Sequence, residues 1–518
     1  MTRILYGKGF DAVPRPPGSD AVRQPSDTGR AAARSRAVNG KPPRRIFIDC
    51  SATDFSRQPT GIPRVVRKYI EVGYAWGARR GIEIVPVIPT AEGFALVRPL
   101  PGKGAPNALA SRALASEVAR QSGAAARFKI AWDYLSNVVH HGLNFAAALL
   151  PIPPVKSAST WIDGLMADAN SAYDRHLERN SLAPILFTPG AGDVLFAPAY
   201  WHDVDPATYR ALRARGVDII ILVHDLLPIT FGNFYPSPWK YLFKDNLRAA
   251  FGYASAFCCV SSLTRTTLLE FGHRNKLDPV PMMTAYNGFE PLVSDAAAME
   301  IRKAAHRPIM GNAKLFDAIR LNPLLMVGSV EPKKGHVPVI KCMEALWQAG
   351  YQRPLLIIGR PGWMEQEVVA AIRESFFFNK KLFWFSDADD FDLASAYIFC
   401  HALIFSSLAE GFGIPMIEAA YYGKPTIALD TPIVQEVLGD KALLFASAAS
   451  FAQHVVDLEN AANHAAACRA AESVRWPLWE DYTPQVFDRM VDFVAGIADL
   501  PEAIAPKAPA LPSRDASA

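Results

Sequence analysis

From residue 44 onward, short apolar runs alternate along the chain with stretches whose apolar positions recur at helical spacing. Arg45-Ile-Phe-Ile-Asp49 has the length and character of a strand buried in a parallel sheet. A loop follows, and Thr60-Gly-Ile-Pro-Arg-Val-Val-Arg-Lys-Tyr-Ile70 opens a helix, with Thr60 in position to cap it and Gly61 in the turn. Ile82 to Ile88, Gly192 to Ala197, Val217 to Val223 and Ala256 to Val260 read as further strands. Pro206 to Arg215, a stretch ending near Tyr253 and another capped by Ser261 read as helices. Between about 91 and 189 the pattern is irregular, with Ala-rich helical segments and a proline-laden connector, Leu149 to Val155. Alternation returns with Leu324 to Gly328, Leu355 to Gly359, a helix from Glu365 to Ser375, then Leu382 to Phe385 and Ala402 to Phe405. The pattern predicts an α/β chain with parallel sheets covered by helices on both faces.

Residues 44–300 read as a first domain, 301–320 as a linker and 321–478 as a second domain. Within 479–498, Val486, Met490, Phe493 and Val494 fall on one helical face. Residues 1–43 and 499–518 lack periodicity and are expected to be disordered tails.

Composition agrees with two globular domains: 518 residues, 50% hydrophobic and 20% charged. The net charge of +4 is unevenly placed, since residues 1 to 45 hold ten Lys or Arg against three Asp. The body therefore gives no case for nucleic-acid binding. The basic arm is either a solvated tail or a segment drawn to anionic lipid. The six cysteines show no C-x2-C spacing, which predicts neither a zinc site nor a disulfide framework and fits buried thiols in a reducing compartment. No apolar run reaches the roughly 20 residues of a membrane span, and the N-terminus lacks the apolar core of a secretory signal. A cytoplasmic location is expected, with contact at the inner face of the membrane as an extension of the arm's charge.

Candidate chemistry concentrates in Ser407-Leu-Ala-Glu-Gly-Phe-Gly-Ile-Pro-Met-Ile-Glu-Ala-Ala-Tyr-Tyr-Gly423. Pro415 suits a helix's first turn and Gly423 the left-handed position after its last, so a helix spans about Ile414 to Tyr422. Gly411 and Gly413 let backbone N–H groups approach a ligand just ahead of a helix N-terminus. Glu410 and Glu418 then stand on either side of the turn. On spacing alone they either hold a polyhydroxylated ligand at two points, or act as a loop cap and a solvated helix residue.

The segment resembles the E-x7-E motif of retaining glycosyltransferases of the GT-B class, the family that includes bacterial mannosyl- and glucosyltransferases, through Glu-Gly-Phe-Gly-Ile-Pro and Gly423-Lys-Pro-Thr-Ile-Ala428. The resemblance implies two Rossmann-like doubly wound domains facing a central cleft, with the last helix crossing back to the first. It also implies a nucleotide diphosphate sugar as donor, a saccharide or lipid-linked acceptor, and no cofactor.

Gly328-Ser-Val-Glu-Pro-Lys-Lys-Gly335 is similar to the family's G-x-x-E-P-x-K-G loop, whose lysine grips the donor diphosphate, here Lys334. Ser329 stands where many members carry an arginine, which leaves Lys333, Arg64 or Arg360 as the second cation. Arg64 and Arg67 are expected at amphipathic surface positions or pointing to phosphate or acceptor. His224-Asp225 ends a strand, where ligands of parallel sheets bind; the resemblance sets it at the border of the cleft, while the residues alone also allow a His satisfied by its neighbour. Phe234, Tyr235, Trp239, Tyr241 and Phe243 form either an apolar lip toward a lipid-linked acceptor or ordinary core.

By resemblance, Lys334 and Lys333 with Gly61, Gly328 and the N–H groups of Gly411, Phe412, Gly413 and Ile414 bind the donor. Glu410 takes the sugar hydroxyls, Glu418 the ribose, and His224 belongs to the catalytic set. Asp203-Val-Asp205 and Asp387-Ala-Asp389 have a spacing that holds divalent ions elsewhere, but it recurs by chance, and no metal is expected. The rivals are a sugar-nucleotide epimerase on the same fold and a catalytically silent scaffold subunit.

Overall fold

Runs such as Leu355–Ile358 and Ala402–Phe405 are buried at every position, because a strand covered on both faces has no solvent side on which to place a polar residue. The computed structural model describes residues 41–51, 53, 61–90, 93–97, 186–303 and 313–504. Its strands are β1 (Arg45–Asp49), β2 (Glu83–Thr90), β3 (Gly93–Leu96), β4 (Leu186–Phe187), β5 (Val194–Ala197), β6 (Asp218–Val223), β7 (Ala256–Cys259) and β8 (Met282–Thr284). Then follow β9 (Leu324–Val327), β10 (Leu355–Ile358), β11 (Leu382–Phe385), β12 (Ala402–Phe405), β13 (Thr426–Leu429) and β14 (Leu443–Phe445).

The chain divides into two units. Val85–Thr188 form one, in which β2 pairs antiparallel with β3 and β3 with β4. These antiparallel pairs depart from the all-parallel expectation. Most of the irregular stretch from 91 to 189 lies outside the described residues, as do residues 1–40 of the basic arm, Thr60, and 505–518 of the tail.

The other unit, residues up to Ile84 and from Pro189 onward, contains two parallel sheets. In the first, β1 pairs with β5, β5 with β6, β6 with β7 and β7 with β8. The second runs β11-β10-β9-β12-β13-β14, every pair parallel. In local strand numbers that order is 3-2-1-4-5-6, the doubly wound arrangement whose connections reverse direction between its first and fourth strands. The reversal falls between β9 and β12, which makes the space beyond their carboxyl ends the natural ligand crevice.

Helices that carry the argument are α1 (Ile62–Arg80), α2 (Ser237–Tyr253), α3 (His336–Gln348), α4 (Asp390–Phe399), α5 (Ile414–Tyr421) and α6 (Trp479–Val494). Gly61 holds the N-cap position of α1 at φ 60°, without a side-chain cap. The second sheet's core is aliphatic, with Val339, Met343 and Trp347 of α3 packed over Leu324, Leu355 and Ile357. The closing helix α6 lies on α1: Trp76 and Phe487 stack at 4.9 Å, and the Trp76 indole N–H donates to Asp488 at 2.9 Å. Residues 502–504 lie within the stretch 499–518 expected to be tail, yet Thr284 N–H donates to Glu502 O and Ile504 N–H to Thr284 O. Four of the six cysteines are buried.

Candidate functional site

The loops after β9 and β12 are locked together at the switch point. Gly335 follows the short turn Pro332–Lys334 at φ 72°, and a Cβ there would come within 2.4 Å of Ser406 O. Only glycine lets the first loop lie this close to the end of β12. Leu408 N–H donates to Lys333 O at 2.8 Å, and the Ser406 hydroxyl donates to Lys334 O at 2.8 Å. The lysine pair is thereby delivered to the second loop, and the Lys334 ammonium forms an ion pair with Glu410. Gly328 carries φ 139° and supports the Lys334 stem at ordinary contact distance.

Burial pushes the Glu410 carboxyl up, but the charges of Lys334 and Lys333 outweigh it and hold the group below its usual pKa. Lys333 donates to the Tyr235 hydroxyl at 3.2 Å and lies 3.5 Å from Glu331. Burial disfavours its ammonium, yet Tyr235, Glu410 and Glu331 outweigh that and raise its pKa. Of the three candidates for a second cation, Lys333 is therefore the one that shares the field of Glu410. Arg360 is exposed. Ser329, in place of the family arginine, donates its hydroxyl to Glu331 at 2.5 Å.

Helix α5 starts at Ile414, with Gly413 at φ 100° as N-cap, Pro415 in the first turn and Gly423 at φ 71° beyond its end. Phe412 is buried ahead of it. Glu418 is 3% exposed, which corrects the solvated-helix alternative. Its carboxylate accepts from Arg64 at 3.2 Å and from the Tyr397 hydroxyl at 2.8 Å, while Arg64 also donates to Asp390 at 2.9 Å. Arg64 is correspondingly no surface residue; its side chain is 15% exposed. Burial raises the Glu418 pKa against the opposing pull of Arg64 and Tyr397.

His224 ends β6. Its Nε2–H donates to Pro198 O at 2.8 Å, and burial lowers its pKa. Asp225 accepts from Leu227 N–H at 2.9 Å, so the His is satisfied by Pro198 and the Asp by its own turn. Gly411 packs directly on this turn: a Cβ there would stand 2.0 Å from His224 O and 3.2 Å from the Asp225 Cβ. Gly61 has open space around it and lies one helical turn from Arg64.

Asp205 and Asp389 cap helices, each accepting from backbone N–H groups. Among the described residues no cluster of His, Cys, Asp and Glu has the arrangement of a metal site. Sequence reasoning did not single out Tyr397 or Asp390, and it left Arg64 open. The available signal was the place of Arg64 one turn after Gly61 in a strand-turn-helix entry.

Residues 320–473 match the family model described as glycosyl transferases group 1. The serotype-specific mannosyltransferase WbdA of Escherichia coli is 29% identical over 303 residues, covering 57% of this chain and 36% of WbdA. The O-antigen chain mannosyltransferase RfbU of Salmonella typhimurium is 31% identical over 124 residues, 24% of this chain and 33% of RfbU. The aligned part thus spans about a third of these curated relatives. Among solved structures, sucrose-phosphate synthase from Thermosynechococcus elongatus superposes with a TM-score of 0.51 at 14% identity, over 88% of this chain and 100% of that one. At that identity the likeness is one of fold, and the fold is GT-B.

Proposed function

We propose that the protein is a retaining hexosyltransferase that moves mannose from a nucleotide diphosphate sugar to a saccharide or lipid-linked saccharide during surface-polysaccharide synthesis. The observation that carries this reading is the Lys334–Glu410 pair at the sheet's switch point, directly ahead of the α5 N-terminus. A diphosphate needs fixed positive charge, a sugar needs carboxylates for its hydroxyls, and the site holds both within one loop pair.

In this account the leaving diphosphate draws Lys334 away from Glu410 and also meets Lys333 and the N–H groups of Gly411 to Ile414. Glu410, freed of its lysine, accepts from the sugar hydroxyls. Glu418 accepts from the ribose hydroxyls beside Tyr397. Transfer is front-face: the bond from the anomeric carbon to the β-phosphate oxygen breaks, a bond to the acceptor oxygen forms on the same side, and the acceptor's proton passes to the departing phosphate oxygen. His224 borders the site through the carbonyl that Gly411 touches. No metal or cofactor is required.

Mannose and polysaccharide are supported by the names of the relatives, which are mannosyltransferases. Peripheral contact with anionic lipid through the basic arm belongs to the same proposal, and no helix among the described residues is long and apolar enough to cross a membrane. Screening GDP-, UDP- and ADP-sugars with oligosaccharide acceptors tests the reading. GDP-mannose is expected to give an α-linked product. Turnover of a UDP-sugar alone overturns the mannose assignment, and release of an isomerised nucleotide sugar without transfer overturns the transferase in favour of an epimerase.

A further inference from the structure

A row of aromatic rings runs from the surface to the lysine pair. Trp363 and Trp239 lie 5.5 Å apart between centroids, tilted by 33°, and Trp239 stacks on Tyr235 at 5.4 Å and 22°. Lys333 sits over the Tyr235 ring at 5.5 Å, and Tyr235 packs with Ala409, the neighbour of Glu410. Tyr235 is buried and Trp239 half-buried, so these two behave as the core alternative predicted, whereas Tyr241 is 61% exposed; Trp363, from the turn after β10, is 47% exposed.

The outer ring is held in place at some cost. Met364, next to Trp363, adopts φ 53°, a left-handed conformation that a long side chain rarely takes. The turn before it is pinned to the phosphate-type loop: Gly362 N–H donates to Val330 O at 3.0 Å, and a Cβ on Gly362 would meet Ser329 Cβ at 3.0 Å. The contact with Trp239 leaves about half of Trp363 open to solvent, on a strained turn fastened to the candidate donor loop, although burial would be the favourable fate of its ring.

We infer that the exposed face of Trp363, backed by Trp239 and Tyr235, is the acceptor subsite, against which a sugar ring of a saccharide chain stacks as the chain's end is led to Glu410. The inference rests on the transferase reading and adds to it the part of the acceptor that is recognised. The chemistry favours a saccharide over an acyl chain. Flat ring faces match the C–H faces of pyranoses, and polar groups flank them: Asp203 accepts from the Trp239 indole, Lys333 stands at the inner end, and Arg360 is exposed three residues before Trp363. An aliphatic chain would cover the exposed Arg360 without offering it a hydrogen-bond acceptor.

Calorimetric titration with α-mannotetraose, and in parallel maltotetraose, tests this. Trp363→Ala and Trp239→Ala are expected to raise the tetrasaccharide Kd about tenfold while the Kd for GDP or UDP stays put. Trp363→Phe should recover most of the loss, and Phe376→Ala, an exposed ring outside this row, should change neither. Unaltered tetrasaccharide binding in Trp363→Ala, or a wild type that binds neither tetrasaccharide, overturns the inference. So does a Trp363→Ala variant that loses only its association with anionic phospholipid vesicles. These titrations need no turnover. Failure of the transferase reading in the donor screen is therefore seen separately.

Discussion

Arg64 and Glu418 meet at 3.2 Å, although the arginine belongs to the helix after β1 and the glutamate to the helix after β12. The same holds in miniature for Lys334 and Glu410, so Glu410 and Glu418 each carry their own cation. Both carboxylates are thus paired within the site. A ligand that brings phosphate to the cations and hydroxyls to the carboxylates exchanges one satisfied set of partners for another, with little desolvated charge left over.

Removing Arg64 leaves Glu418, 3% exposed, as an uncompensated buried charge. Arg64→Ala is expected to cost about 3–5 kcal/mol of unfolding free energy, much of it recovered in Arg64→Ala/Glu418→Gln, as a double-mutant cycle in urea would register. Strict additivity of the two changes would contradict the pairing. Functionally, Glu418→Ala should weaken binding of free nucleoside diphosphate and Glu410→Ala should mainly lower turnover, a split that equal effects on nucleotide affinity would exclude.

Gly411 offers a steric test. With His224 O 2.0 Å from the site of a Cβ, Gly411→Ala must push the two loops apart and should cost about 1–3 kcal/mol together with most of the turnover. Gly190→Ala, with open space around it, should melt like the wild type. Matching melting temperatures for both variants would show that the loops yield freely.

His202 and His336 are buried, and burial pushes the pKa of each down to about 4. In the unfolded chain they titrate near the ordinary 6.5, so protons bind the unfolded state first. Their contribution to stability is fully present above pH 6.5 and is lost as pH falls toward 4, with a slope of up to about 1.4 kcal/mol per pH unit for each. Glu418, raised in the fold, works with the opposite sign where it titrates. Melting curves from pH 7 to 4.5 should fall steadily, and His336→Gln should flatten the fall. An unchanged slope in that variant would remove His336 from the account.

Local patterns made much of this legible in the sequence. Leu382–Phe385 is a strand with the bounds its apolar run implies, and Gly413, Pro415 and Gly423 frame α5 where their conformational preferences put them. β8 went unseen because three residues, Met282–Thr284, are too short to show a period. The antiparallel pairing of β2 with β3 needs a partner strand that no pattern names. Arg64 was the hardest case, since its partner lies 354 positions away and only the closing of Gly411 on His224 and of α5 near α1 reveals the pair. In the sequence Glu418 sits between Ile417 and Ala419, and since adjacent helix positions face different ways, a ligand-holding and a solvated carboxylate both stayed open.

The most direct measurement is calorimetric titration of GDP and UDP into the wild type and into Lys334→Ala. If the loop after β9 grips a diphosphate, the wild type binds one of the two, and the folded variant loses about 10- to 100-fold in affinity, the worth of a charged hydrogen bond. Equal affinity in a variant that melts normally, or no binding of either nucleotide by the wild type, would contradict the assignment.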